Sequence, residues 1–111
     1  MDDGILTSVK KHLSIMPEDM SFDDELVMDI NAAFAILTQL GVGPQEGFFI
    51  TGYDENWSDY VVDIVQSNMA QQYVYYKVKT IFDPPSNSTV LNKMNEQIQE
   101  YEWRLRLQAE V

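Results

Sequence analysis

His12 is the only histidine in this chain of 111 residues, and there is no cysteine. A Ser-His-Asp or Cys-His nucleophile system would have to run through that one imidazole. No serine stands in a nucleophile-elbow context, so His12 is expected to be a surface or satisfied histidine. Asp54-Glu55-Asn56-Trp57-Ser58-Asp59 places oxygen ligands at alternate positions, as a calcium loop does. The sixth place of such a loop needs glycine for its sharp turn and the twelfth a bidentate glutamate. Here those places hold Asp59 and Val65. Asp23 and Asp24 are paired carboxylates of the kind used in acid–base catalysis. At a helix start they more simply complement the free N–H groups. Gly41, Gly43, Gly47 and Gly52 are followed by no Gly-Lys-Ser/Thr, so they do not form a phosphate-binding loop. Without thiols, sulfur-ligated metals and thiolate catalysis are excluded as well. The expectation is a non-enzymatic chain with no catalytic residue, no metal and no cofactor.

The elements that would position these residues read as helices. Ile5, Val9 and Leu13 at four-residue spacing, with Leu6 beside them, predict a short helix over 5–13. Lys10, Lys11 and His12 near its end suit the helix dipole. Pro17 prevents continuation, leaving a connector over 14–20. Ser21 is the expected cap of a second helix, with Asp23, Asp24 and Glu25 in its first turn. Leu26, Ile30, Ala33, Phe34, Leu37 and Leu40 give that helix an apolar stripe, and Gly41 stops it. Residues 41–56 contain four glycines, Pro44, Phe48, Phe49 and Ile50. They form either a long loop whose aromatics tuck onto the core or a short extended segment. The length is large for a passive connection, which makes the stretch a candidate binding or assembly element.

Asn56 or Ser58 can cap a third helix. Val61, Val62, Ile64, Val65, Met69, Tyr73, Val74, Tyr76, Val78, Ile81 and Phe82 lie nearly all round it, the mark of a central element. A short helix over 58–65 breaking into a longer one over 66–82 fits equally. Pro84 and Pro85 end it. Ser86 or Ser88 should cap a last helix over 88–108, about 30 Å long. Val90, Met94, Ile98, Tyr101 and Leu105 form one stripe on it, and Trp103 and Leu107 a second face. The expected fold is all-α: one domain over 1–111, a bundle of four to five helices with a long C-terminal helix and a long loop near 41–56. A chain of this length buries roughly 65% of its unfolded surface, enough for one modest core.

Net charge is −11 and unevenly spread. Residues 1–64 hold 13 of the 18 carboxylates and only Lys10 and Lys11 as bases, whereas residues 65–111 hold five of each sign. Phosphate-tracking proteins need clustered Lys and Arg, so nucleic-acid binding, sequence-specific binding included, is not expected. An acidic face keeps a protein soluble, meets a basic partner, or lines a passage to which DNA must not adhere. The apolar runs are far short of a membrane span, so no membrane partner is expected. No basic start is joined to an apolar run, so no signal peptide is expected.

The remaining signal is surface for association. Aromatics with arginine are what interface centres favour. Trp103, Leu107, Arg104, Tyr75, Phe48 and Phe49 are the candidate assembly residues.

Phe82-Asp83-Pro84-Pro85-Ser86, then Met94, Gln97-Ile98 and Glu102-Trp103-Arg104-Leu105, resembles the small head–tail connector, or head-completion, proteins of tailed bacteriophages and prophages. Phe22-Asp23-Asp24-Glu25-Leu26, Ile30-Asn31-Ala32-Ala33-Phe34 and Leu40-Gly41-Val42-Gly43-Pro44 extend the resemblance over nearly the whole chain. It implies a helical bundle that assembles as a homo-oligomeric ring beneath the portal vertex, extends the DNA channel and offers a docking surface to the next neck or tail protein. It also implies a place in the virion neck, with assembly in the bacterial host cytoplasm. A monomer in isolation is compatible with this, since ring parts often assemble only on their template. The acidic half would suit a channel wall, and Pro84-Pro85 would set the angle at which the last helix leaves the bundle. The alternative from charge alone is a small acidic protein-binding regulator or DNA-mimic inhibitor.

Overall fold

The computed structural model describes residues 4–60 and 64–109. In order, the chain forms α1 (Ile5–His12), α2 (Asp23–Gln39), a 3₁₀ turn (Trp57–Asp59), α3 (Ile64–Phe82) and α4 (Ser88–Ala109). Among the described residues the regular structure is helical, with one isolated antiparallel bridge between Gly4 and Asn56. The all-α bundle expected from the apolar periodicities is the fold observed.

The caps differ from expectation at two helices. Ser21 does not cap α2. Its hydroxyl and its N–H both donate to Asp19 Oδ1, at 2.5 and 3.1 Å. Phe22 holds the cap position with no side-chain bond, and the charges of Asp23, Asp24 and Glu25 complement the exposed amides instead. At α4 neither Ser86 nor Ser88 caps. Asn87 Oδ1 accepts from the N–H groups of Thr89 and Val90, at 2.8 and 3.2 Å. Asparagine serves this position as well as serine does, so adjacent candidates cannot be ranked by type.

The stop at Gly41 is as expected. Gly41 adopts φ +89°, its N–H donates to Thr38 O (3.0 Å), and the Val42 N–H donates to Leu37 O (2.9 Å). This paired closure needs a left-handed residue after the helix, which glycine adopts without strain. Val42 and Leu37 are both buried, adding the apolar contact that accompanies the motif.

Helix α3 packs against both α2 and α4, the central position its all-round apolar pattern implied. It buries Ala70, Tyr73, Val74 and Val78. Tyr73 donates to Glu102 Oε2 on α4 (2.8 Å), and Tyr101 donates back to Gln72 Oε1 (2.7 Å). The 3₁₀ turn and α3 are separate elements; Val61 and Val62 lie outside the described residues. Val65 and Ile81, counted in the apolar pattern, are exposed. On α4 the stripe is only partly core: Ile98 and Leu105 are buried, but Val90 is 46% exposed.

Residues 41–56 form an irregular loop folded onto α2, the first of the two alternatives. Val42 and Ile50 are buried, as are Trp57 and Tyr60 just beyond. Phe34 is the hub, with ring centroids 5.0 Å from Phe48, 4.9 Å from Tyr60 and 5.9 Å from Trp57. Fully burying such a side chain contributes about 1.5–3 kcal/mol, so the loop is part of the core. Asn31 holds it in register: its Nδ2 donates to Ile50 O (3.0 Å) and its Oδ1 accepts from Ile50 N–H (2.7 Å). One amide thereby replaces the strand partner that Ile50 lacks.

Candidate assembly surfaces

One charged side chain, Lys10, is turned inward. This lysine is 1% exposed. Its Nζ donates to Asp19 O (2.8 Å), Pro17 O (3.1 Å) and the Tyr53 hydroxyl (2.7 Å). Asp23 Oδ1 lies 3.1 Å away as an ion pair. An ammonium has three protons, so the fourth oxygen receives charge without a well-aligned hydrogen bond. That accounts for Asp23 Oδ1 being buried without a hydrogen-bond donor among the described residues. The Tyr53 hydroxyl in turn donates to Asp23 Oδ2 (2.6 Å). Burial pulls the Lys10 pKa down, but the bond to Tyr53 and the ion pair with Asp23 outweigh it, and the net direction is up. The group ties α1 to the connector over 13–22, the start of α2 and the loop.

Sequence reasoning missed this role, reading Lys10 as a dipole charge at a helix end. One signal was available. Lys10 stands four residues after Leu6, so it lies at the edge of the apolar stripe that α1 must bury.

Other acids are committed in similar ways. Glu55 accepts from the Thr51 hydroxyl (2.8 Å) and the Gly52 N–H (3.4 Å). Burial raises its pKa, but these bonds prevail and hold it below the usual carboxylate range. Asp59 closes a capping box with Asn56. Among the described residues, no group of three or more acidic or histidine side chains is placed to hold a metal ion. His12 is exposed and stacks on Tyr75, centroids 4.5 Å apart at 15°.

The six candidate assembly residues divide into two sets. Tyr75 and Phe48 are half-buried against the core: Tyr75 also meets Trp57 edge-on at 6.1 Å, and Phe48 lies 5.2 Å from Tyr60. Phe49, Trp103, Arg104 and Leu107 face outward. Trp103 is 60% and Phe49 66% exposed. Arg104 Nε donates to Glu100 Oε2 one turn earlier, at 2.8 Å. Phe49 rims a groove of about 310 Å³ between α2 and the loop, lined also by Asn31, Ala35, Thr38, Glu46, Gly47 and Phe48. A second apolar groove of about 460 Å³ lies at the end of α1, between Thr7, Lys11 and Ser14-Ile15-Met16-Pro17. Among the described residues no helix is long and apolar enough to cross a membrane.

A small helical fold whose polar clusters serve its own cohesion, and whose outward faces carry tryptophan, phenylalanine and arginine, has the make-up of an assembly module. Residues 5–111 match the family model described as phage connector protein, and the chain belongs to that family. Its role is that of a structural phage connector, as the resemblance implied. Comparison with curated proteins and with solved structures gives no significant match.

Proposed function

We propose that this chain is the repeating subunit of a ring below the portal, joining the DNA-filled head to the tail and extending the DNA channel. The observation that carries this is the outer face of α4. In a chain of the connector family, Trp103 and Leu107 stand exposed opposite the buried Leu105, on a helix already anchored to α3 by Tyr73 and Tyr101. A rigid helix presenting an uncovered aromatic face supports contact with another subunit or with the portal. The predominance of acid in the first half supports a channel wall over which DNA slides without sticking. The test is electron microscopy of particles from a host lacking this gene. Filled heads without tails are expected; normally attached tails would rule the reading out.

The acidic-mimic alternative fits less well with the same side chains. Asp19, Asp23, Glu55 and Asp59 are engaged internally, and a DNA mimic needs its carboxylates presented to a partner. Salt-sensitive binding to a basic DNA-binding protein would restore that alternative.

A further inference from the structure

Residues 12–76 contain eleven carboxylates and no lysine or arginine. Within that stretch lies the groove between α2 and the loop, whose walls include Ala35, Phe48 and Phe49 and whose rim includes Glu46. Met28 and Asn31 continue it along α2: positions 28, 31 and 35 succeed one another at helical spacing, and Met28 and Ala35 are exposed. Glu25 lies on the adjoining turn. Beside it Asp29 is half-buried, and burial, with the Glu25 charge added, pushes its pKa up. The groove is thus apolar at its floor and negative at its edge, with no base of its own segment to offset the charge.

The complement is on the same chain. On the outer face of α4, Trp103, Arg106 and Leu107 lie within about one turn of each other, all exposed. Arg106 makes no ion pair among the described residues. An aromatic knob with an arginine beside it has the shape and charge that the groove lacks. The two surfaces are carried by different elements of the subunit. Each surface lies opposite its own helix's buried residues. Surfaces that differ and match give a head-to-tail contact, which closes into a ring when the rotation allows.

We propose that the Trp103/Arg106/Leu107 face of one copy docks in the Met28/Ala35/Phe49 groove of the next. This rests on the reading of the chain as a ring subunit and adds the two faces that meet and their direction. The occupant is a second copy, because the matching apolar and basic surface is present in this sequence.

The chain has no cysteine, so introduced thiols are unique reporters. Ala35→Cys and Leu107→Cys both fall at exposed positions and should leave the fold intact. Cells producing phage particles with the doubly substituted full chain are treated with a short bis-maleimide. A ladder of multimers beyond the dimer is expected. Each single variant alone should give no cross-linked species, and the two single variants co-expressed should give a dimer only. Adding Arg106→Glu should abolish the ladder, and adding Glu46→Arg to that should bring it back in part. Four results would each overturn the proposal: no ladder, self-linking of Leu107→Cys alone, linking of Ala35→Cys to a different protein, or indifference to Arg106→Glu. The neck assignment fails separately. Normal tails on gene-deleted particles would sink it whatever the ladder shows, and tailless particles without a ladder would sink only the docking geometry.

Discussion

The two ends of this sequence use charge and aromatic rings in opposite ways. Around Lys10, the ammonium is drawn under the surface beneath a carboxylate and the hydroxyl of the exposed Tyr53, and every proton of the lysine has an acceptor. On the outer face of α4, Arg104 pairs with Glu100 one turn back, both exposed, and Trp103 lies beside them in solvent. The first arrangement ties two segments that have little regular structure, the connector and the loop, to α1 and the start of α2. The second leaves a regular helix with an uncovered face. A charged residue at the first site should therefore govern stability, and an aromatic residue at the second should govern association.

The largest effect is expected at the buried site. Lys10→Ala removes the cation but leaves Asp23 and two backbone carbonyls around a hole. Breaking one side of a buried pair costs about 3–5 kcal/mol, and Asp23, at 17% side-chain exposure, places this case near the lower end. Urea denaturation should show a loss of about 3 kcal/mol. A loss below about 0.5 kcal/mol, the range of ordinary surface changes, would erase the contrast. Gly43→Ala should come next. Gly43 has φ +86°, and an added Cβ would lie 2.7 Å from the Tyr60 ring, itself packed on Phe34. Strain of both kinds should cost about 2 kcal/mol in the same measurement.

A third test uses pH. Burial raises the pKa of Tyr60, and burial with Glu102 raises that of Tyr73, both from an ordinary value of 10.0. Lys10 is raised from 10.5. A group whose folded pKa is raised binds its proton more tightly when folded. Its stabilisation is complete below the ordinary value and is lost as pH climbs through the raised one. Stability should accordingly hold through neutral pH and fall above about pH 10. Tyr73→Phe should flatten that alkaline fall while lowering stability at neutral pH. An unchanged alkaline slope in that variant would show that Tyr73 ionisation does not drive it.

The same contrast explains what could be read from the sequence. The helices and the stop at Gly41 are written in spacing, which constrains every residue of an element at once. Residues 26, 30, 33, 34 and 37 can face one core only on a helix. Single partnerships are not written that way. Tyr53 is 43 residues from Lys10 and Asn31 is 19 from Ile50. Nothing local in those stretches announces the pairing, which emerges only once the loop is folded onto α2. The caps show the limit at short range too, since Ser86, Asn87 and Ser88 are chemically interchangeable there. The outward residues were legible by surplus: Trp103 and Leu107 could not share a stripe with Leu105, so one face of α4 had to lie outside the core. Tyr75 and Phe48 shared the same composition signal but pack against the core, because composition alone does not say which aromatics the fold absorbs.

The smallest expected effect on stability, and the one that bears most directly on association, is Trp103→Ala. With the ring 60% exposed and its neighbours on that face also exposed, truncation should change stability by no more than about 0.5 kcal/mol. If the ring is instead desolvated at the centre of an interface, its loss should cost about 2 kcal/mol of binding, roughly thirtyfold in affinity. Thermal melting and co-assembly with a tagged second copy of the chain on the portal, on the same preparation, separate the two. The ratio is the informative quantity, since a variant that melts normally and binds poorly can have lost only a contact made outside the subunit. A large drop in melting temperature with unchanged binding per folded molecule would return Trp103 to the core and leave the outer face of α4 without a role. The Lys10→Ala variant is the control in the opposite sense. Its folded fraction should bind as well as the parent does, because the cluster it breaks is closed on itself.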